Sequence, residues 1–163
     1  MSGSTEWRTP PEVFEKLDAE FDFNVDAAAT PENALIRPGY YSGGRFYTAE
    51  TDGTRREHYG PGDRVWCNPP YSPAPLLYRF VETARVTSRE QDALWVMLLN
   101  ATSTDVRWFH NFIWDRELHR PREGVEVRLL QGRIRFHDEL NTPVPSPRYT
   151  NMVVVFHPPL RVL

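Results

Sequence analysis

The sequence contains a single cysteine and a single lysine, and it has no apolar run long enough to cross a membrane. The lone Cys67 excludes an intrachain disulfide and a cysteine-based metal site. A membrane helix needs about 18 consecutive apolar residues, and the first residues do not follow the basic-then-apolar pattern of a secretion signal. We therefore expect no membrane partner and a protein that stays in the cytoplasm where it is made.

Length and composition predict one compact domain over residues 1–163. A hydrophobic fraction of 40% and a charged fraction of 25% are ordinary for a globular protein. A chain of 163 residues is long enough for one sizeable core and too short for two ordinary domains.

A net charge of -3 argues against a protein that coats nucleic acids. Basic residues nevertheless outnumber acidic ones in residues 64–163. Over the whole chain, Lys16 is the single lysine and the other such residues are arginines. Arginine binds phosphate or guanine through two-point contacts. Arg133 and Arg135 alternate along a predicted strand, and further arginines precede them: Arg107, Arg116, Arg120 and Arg122. Two interpretations of these arginines stay open, a surface that contacts phosphates and a solvated face with local ion pairs. The preference for arginine over lysine could also reflect a GC-rich coding sequence.

Hydrophobic periodicity predicts an alternation of helices and strands. Thr9 and the two prolines after it are typical of an N-cap and a helix start, and this helix is predicted to run to about Glu20. Further helices are predicted over 76–86 and over 105–112, the second capped near Ser103 and Thr104. Strands are predicted over 21–29, 63–67, 93–99, 125–130, 133–136 and 151–156. Residues 30–63 have no clear period and are predicted to be irregular, with room for short strands.

This alternation predicts an α/β fold with a mostly parallel sheet and helices on both faces. Ligands of such folds bind beyond the carboxyl ends of the strands. Asp26 and Asn68 both fall at predicted strand ends. We therefore expect these two residues to line one cleft.

The tetrapeptide Asn68-Pro69-Pro70-Tyr71 is the most informative motif. The amine of adenine or cytosine is a poor nucleophile, because its lone pair is delocalised into the ring. The Asn68 side-chain oxygen and the Pro69 carbonyl could both accept hydrogen bonds from such an amine and favour the tetrahedral nitrogen that forms during attack. A base in a duplex must be extruded to be reached, and Tyr71 would stack on it, with Phe136 as a possible second wall. The alternative interpretation is a simple proline-rich turn.

The order of motifs resembles the bacteriophage DNA N6-adenine methyltransferases, the Dam-like phage enzymes, over about Glu6 to Phe156. The matching segments are Trp7-Arg8-Thr9-Pro10, residues 23–29 (FNVDAAA), Asn33, residues 48–53 (TAETDG), residues 65–72 (VWCNPPYS), residues 96–99 (VMLL) and residues 132–136 (GRIRF).

The resemblance implies a Rossmann-like, S-adenosylmethionine-dependent methyltransferase that acts on adenine N6 in DNA, inside a bacterial host if the gene is a phage gene. It implies that the cofactor contacts Thr9, Pro10, Asp26, Ala27, Ala28, Asp52 and Asn68. It implies that catalysis rests on Asn68, Pro69, Pro70 and Tyr71, and DNA binding on Tyr71, Ser72, Arg133, Arg135 and Phe136. It implies no metal, and the five histidines show no metal-ligand spacing.

One departure concerns the loop after the first predicted strand, which reads Asp-Ala-Ala-Ala-Thr-Pro and lacks the glycines usual in methyltransferases. Two groups of alternatives stay open. The acceptor amine could be cytosine N4, an RNA base or a glutamine side chain, or the fold could have lost cofactor binding and act as a DNA-binding module. Target reading is expected from the loops Asn100–Arg122 and His137–Tyr149, because the core leaves little room for a separate recognition domain.

Overall fold

A computed structural model describes residues 8–39, 43–102, 104–136 and 150–160. The elements in chain order are α1 (Pro11–Phe21), β1 (Val25–Asp26), β2 (Arg45–Phe46), a 3-10 turn (Arg56–His58), β3 (Arg64–Cys67), α2 (Ala74–Glu90), β4 (Leu94–Asn100), α3 (Arg107–Phe112), β5 (Trp114–Asp115), β6 (Arg120–Pro121), β7 (Val125–Leu129) and β8 (Asn151–Phe156). Within the described ranges, six strands form one sheet in the order β2-β1-β3-β4-β8-β7, and β5 pairs with β6 in a small hairpin.

The sheet is largely parallel, as the sequence predicts. Strands β2, β1, β3 and β4 all run in the same direction. Strand β8 runs antiparallel to β4, and β7 runs antiparallel to β8. In the part of the chain that the structure describes, no helix is both long and apolar enough to span a bilayer.

Helices cover both faces of the sheet, and each face has its own apolar core. The core on the α1 side contains Phe14, Leu17, Phe23, Ile36, Trp66, Val96, Leu98, Ile134, Val153 and Val155. The core on the α2 and α3 side includes Leu77, Phe80, Val81, Ala84, Val65, Cys67, Trp95, Met97, Leu99, Met152, Val154 and Phe156. Successive strand residues point to opposite faces, so β4 and β8 are buried on both sides. This burial explains why residues 93–99 are almost entirely apolar.

Helix α1 begins and ends close to its predicted bounds, but its predicted N-cap is wrong. Pro10 occupies the N-cap position, and within the described residues no side chain caps the helix. The Thr9 hydroxyl bonds to Asn68 instead. Helix α3 likewise starts only at Arg107, after Val106 at its N-cap, so the predicted cap near Thr104 is wrong, and Ser103 lies outside the described residues.

One predicted strand is shorter than expected, and another is not a strand. The prediction over 21–29 is confirmed only for β1, because α1 continues to Phe21 and ends in Asp22, whose φ of 52° reverses the chain direction. Residues 133–136 are not a strand. Strand β8 starts at Asn151, whose carbonyl accepts a hydrogen bond from Leu130, and residues 131–136 pair with no strand in the described part of the chain. They fold over the α1 side, where Ile134 is buried.

The indole of Trp95 anchors β4 to α2 through a buried hydrogen bond. Its Nε1 donates to Thr87 Oγ1 at 2.8 Å, and both residues are fully buried. The same hydroxyl donates to the Thr83 carbonyl at 2.7 Å. Thr87 therefore satisfies the only polar atom of the largest side chain in β4.

We predict that Thr87→Val lowers the free energy of unfolding by about 1–3 kcal/mol, because it leaves a buried indole donor without a partner. Urea denaturation measures this effect, and Thr87→Ser should restore most of the loss. Equal stability of the valine variant and the wild type would contradict the prediction.

Candidate active site at the carboxyl edge of the sheet

Strands β1 and β3 bring the two predicted site segments together. They pair in parallel with Asp26 opposite Trp66, and Ala27 N–H donates to the Trp66 carbonyl at 2.9 Å. The chain leaves β1 towards β2 on one side, whereas β3 leads to β4 on the other side. Such a topological switch point is where ligands of open α/β sheets bind. Asp26 and Asn68 lie at this point, on one edge of the sheet.

Polar side chains follow this edge across four strands, and they share the α1 side. Asp26 is in register with Trp66, which belongs to the α1-side core. Asn68 lies two residues after Trp66, and Asn100 lies two residues after Leu98 of the same core. Asn100 is paired with Asn151 at the start of β8. We call these four residues (Asp26, Asn68, Asn100 and Asn151) the polar row.

The Asn68 carboxamide is held in one orientation. Its Nδ2 donates to Thr9 Oγ1 at 3.1 Å, and Thr9 is itself buried. Pro69 is buried whereas Pro70 and Ser72 are exposed, so the tetrapeptide passes from the sheet to the surface within three residues. The arrangement leaves the Asn68 Oδ1 outside the Thr9 bond and available as an acceptor.

Tyr71 presents an aromatic surface beside this acceptor. The residue is 43% exposed, while its hydroxyl end lies at the backbone N–H of Asn100. Burial of the hydroxyl end raises the pKa of Tyr71 above its ordinary value. The phenol is therefore neutral, and the residue as a whole remains partly open to solvent.

Asp26 holds the loop that follows β1. Its carboxylate accepts hydrogen bonds from Leu35 N–H at 3.0 Å and from Ala28 N–H at 3.4 Å. The side chain is buried, and this burial raises the pKa of Asp26 to about 7, while the two backbone hydrogen bonds act in the opposite direction. Asp26 thus orients residues 27–35 from inside the site.

The segment 48–53 packs directly against the loop after β1. A Cβ atom built on Gly53 would lie 1.8 Å from the Ala27 carbonyl oxygen, so only glycine fits at this contact. Asp52 adopts a left-handed φ of 57°, and its Oδ1 accepts from the Thr54 amide at 3.0 Å and from the Thr54 hydroxyl at 2.5 Å. These hydrogen bonds lower the pKa of Asp52. Its Oδ2 lies outside both bonds.

The predicted arginine surface divides between two places. Arg133 and Arg135 are exposed, and Phe136 packs against the α1-side core. They follow β7, whose last residue Leu129 is level with the carboxyl end of β4. This segment therefore leaves the sheet at the same edge as the polar row.

The other arginines surround α3 and the β5–β6 hairpin. The Arg107 guanidinium stacks over the Tyr78 ring at 5.4 Å, and Arg122 donates to the His110 carbonyl at 2.7 Å. Arg116 and Arg120 are exposed on the hairpin. The predicted reading loop Asn100–Arg122 therefore contains a short helix and a hairpin, while His137–Tyr149 lies outside the described residues.

Sequence reasoning missed Asn151 and the contact made by Gly53. Asn151 is 4% exposed, its Nδ2 donates to the Leu99 carbonyl at 3.4 Å, and its Oδ1 accepts no hydrogen bond among the described residues. The available signal was a polar residue at the end of an otherwise apolar strand. The described residues contain no group of three or more His, Cys, Asp or Glu that could hold a metal ion.

Comparison with known proteins points to one family. The sequence model of the DNA N-6-adenine-methyltransferase (Dam) family matches residues 2–161. A DNA N-6-adenine-methyltransferase from Escherichia phage T1 is 34% identical over 139 residues, which cover 80% of this chain and 52% of that relative. The chain thus spans about half the length of that relative. No solved structure matches the chain.

We predict that Asp26 makes stability fall as the pH rises from about 4 to about 7. The folded pKa of about 7 exceeds the ordinary value of 3.8, so in this window the folded protein retains a proton that the unfolded chain has lost. The stabilisation by the retained proton is complete at pH values below 3.8 and is lost at pH values above about 7. Urea unfolding of wild type and Asp26→Asn across this range should show wild type losing on the order of a few kcal/mol relative to the variant. Parallel pH profiles would mean that Asp26 is ionised throughout.

We also predict that Gly53→Ala destabilises the protein by about 3 kcal/mol, because the new methyl group collides with the Ala27 backbone. Gly60→Ala is the matched control, since no described atom lies within 4 Å of the Cβ position there. Denaturant unfolding of both variants tests the contact. Similar losses at the two positions would show that the two loops do not approach so closely in solution.

Proposed function

Because the chain belongs to the DNA N-6-adenine-methyltransferase (Dam) family, we propose that it transfers a methyl group from S-adenosylmethionine to the N6 amine of adenine in DNA. The observation that carries the proposal is the Asn68 carboxamide. It lies at the carboxyl edge beside the switch point, and its Nδ2 is already bonded to Thr9. The oxygen is thereby left to a substrate amine.

The edge fits the proposed cofactor. A methyltransferase of Rossmann-like architecture binds S-adenosylmethionine across the carboxyl ends of its first strands, which here carry Asp26 and the segment 48–53. The close contact of Gly53 with Ala27 joins these two loops into one wall. Asp52 offers a carboxylate oxygen outside its bonds to Thr54, suited to an adenine amine or ribose hydroxyls. The proposed cofactor contacts are Thr9, Pro10, Asp26, Ala27, Ala28, Asp52 and Asn68.

In the proposed reaction, the cofactor supplies an electrophilic methyl group on a sulfonium, which is a good leaving group. The protein makes the adenine amine nucleophilic. Asn68 Oδ1 and the Pro69 carbonyl accept hydrogen bonds from the two amine hydrogens, which favours a tetrahedral nitrogen whose lone pair points at the methyl group. As the N–C bond forms and the S–C bond breaks, positive charge develops on the nitrogen, and the same two dipoles stabilise it without rearranging. The methylated amine then loses one proton to solvent. Two prolines, Pro69 and Pro70, restrict the backbone that carries this carbonyl.

The target adenine must leave the duplex to reach this edge. The exposed Tyr71 supplies an aromatic surface that can replace the lost base stacking, with the half-buried Phe136 as a second wall. Ser72 continues the same exposed segment towards the DNA.

We propose that Arg133 and Arg135 contact DNA phosphates, and their exposure beside this edge of the sheet supports this role. We propose that the loops Asn100–Arg122 and His137–Tyr149 read the target sequence. We also propose that residues 1–163 act as one methyltransferase domain, on DNA in the cytoplasm of a bacterial host.

We predict that Asn68→Ala lowers kcat for DNA methylation by about 100- to 1,000-fold, because a transition-state acceptor is lost. The affinity for S-adenosylmethionine, measured by calorimetry, should change far less. Labelled cofactor and DNA, followed by digestion to nucleosides, measure kcat and identify the product. Asn24→Ala is the matched control, because Asn24 accepts from the Arg64 amide at the opposite end of β3.

Several outcomes would contradict the proposal. Label in N4-methylcytosine would refute adenine as the substrate. No binding of S-adenosylmethionine by the wild-type protein, with or without DNA, would favour the non-catalytic DNA-binding alternative. Full activity of Asn68→Ala would show that the tetrapeptide is only a turn.

A further inference from the structure

The Thr9 hydroxyl has an unusual partner for a threonine just before a helix. A threonine there commonly caps the helix by accepting from a backbone N–H. In this structure the N-cap position belongs to Pro10, and Thr9 Oγ1 instead receives the Asn68 Nδ2 at 3.1 Å. Thr9 is 7% exposed, so its hydroxyl has little competition from water.

The backbone around Thr9 is restrained from both sides. Pro10 and Pro11 follow it, and a residue before proline is limited to extended conformations. One turn further, Phe14 packs edge-on against Trp66 with ring centroids 5.5 Å apart. Trp66 lies two residues before Asn68 on the same face of the sheet. The aromatic contact therefore fixes the position of α1 along β3. This position in turn determines the distance from Thr9 to Asn68.

A carboxamide needs such a partner because its two ends are chemically opposite. The oxygen accepts hydrogen bonds and the nitrogen donates them, yet the two ends have nearly the same shape. If the group were rotated by 180°, its NH₂ would face the substrate amine, and two donors would oppose each other. In the structure Thr9 Oγ1 accepts from Nδ2, and this bond holds the carboxamide with Oδ1 free to face the amine.

We propose that Thr9 is a positioning residue that holds the Asn68 carboxamide in its reactive orientation. The inference rests on the proposed role of Asn68 in methyl transfer. Thr9 itself touches neither the amine nor the methyl group. It acts through the hydrogen bond that its hydroxyl accepts from Asn68 Nδ2.

The kinetic test compares Thr9→Val, which keeps the shape and removes the acceptor, with Thr9→Ser, which retains a hydroxyl. We expect Thr9→Val to lower kcat, measured at saturating S-adenosylmethionine, about 10- to 100-fold, as misorientation of a catalytic group does, with KM for DNA changed less than about twofold. Thr9→Ser should recover most of the activity. Thr87→Val is the control for loss of a buried threonine hydroxyl, and it should reduce stability without reducing kcat at a temperature where it is folded.

A double-mutant cycle separates positioning from other roles. In the Asn68→Ala background, Thr9→Val should lower kcat by less than about twofold further, because the group that it orients is gone. Independent, multiplicative losses would overturn the proposal. So would a loss of cofactor affinity at unchanged kcat, since that result would make Thr9 a cofactor contact only.

A readout without catalysis tests the hydrogen bond itself. The side-chain NH₂ resonances of Asn68 in ¹⁵N-labelled protein are identified by their absence in Asn68→Ala. They should shift in Thr9→Val and return towards the wild-type position in Thr9→Ser. Unchanged resonances in Thr9→Val would overturn the proposal even if wild type is active. Inactivity of the wild type on DNA, with the expected shifts present, would instead reject the proposed function and leave the Thr9–Asn68 hydrogen bond established.

Discussion

The parallel pairing of β1 with β3 is the constraint on which the candidate site depends. β1 has only two residues, so it contributes few ladder bonds, yet the bond from Ala27 N–H to the Trp66 carbonyl continues the pairing past its end. This pairing fixes the loop after β1 relative to Asn68. Because β2 and β4 lie on opposite sides of the pair, the loops after β1 and β3 diverge and leave an opening at the edge.

The residues proposed to carry the chemistry lie on the α1 side of this edge. Helix α1 packs there through Phe14 against Trp66, and this contact brings Thr9 to Asn68. The polar row occupies the last position on that face of each strand, one step beyond buried apolar residues such as Leu98 and Val153. Carboxamides are tolerated at these positions because the strands end there, and backbone carbonyls such as that of Leu99 accept from them.

The parts of the fold that were predictable from sequence have strong local signals. The apolar run of β4 and the proline-started α1 belong to this group, as does the loop at Asn68, since prolines cannot continue a strand. The order and direction of the strands depend on pairing between distant segments, so the reversal of β8 was not visible in its β-branched run.

The wrong prediction that Thr9 caps α1 also arises from contacts between distant segments. A threonine hydroxyl satisfies either a helix end or a distant side chain, and tertiary packing against Trp66 decides between them. Residues 133–136 alternate like a strand, but among the residues that the structure describes no strand pairs with them.

The glycine-poor loop after β1 is less of a departure than its sequence suggests. In a methyltransferase loop, glycine allows close approach of backbones and allows conformations with positive φ. Here the close approach is made at Ala27, and the residue that lacks a Cβ is Gly53 on the opposing segment. The positive φ falls on the neighbouring Asp52, a residue type that tolerates it, and Asp26 orders the alanine loop by accepting from Ala28 and Leu35. The steric roles expected of glycine in one loop are thus shared between two loops that touch. The absence of glycine at 27–29 is therefore no argument against the proposed binding of the cofactor at this edge.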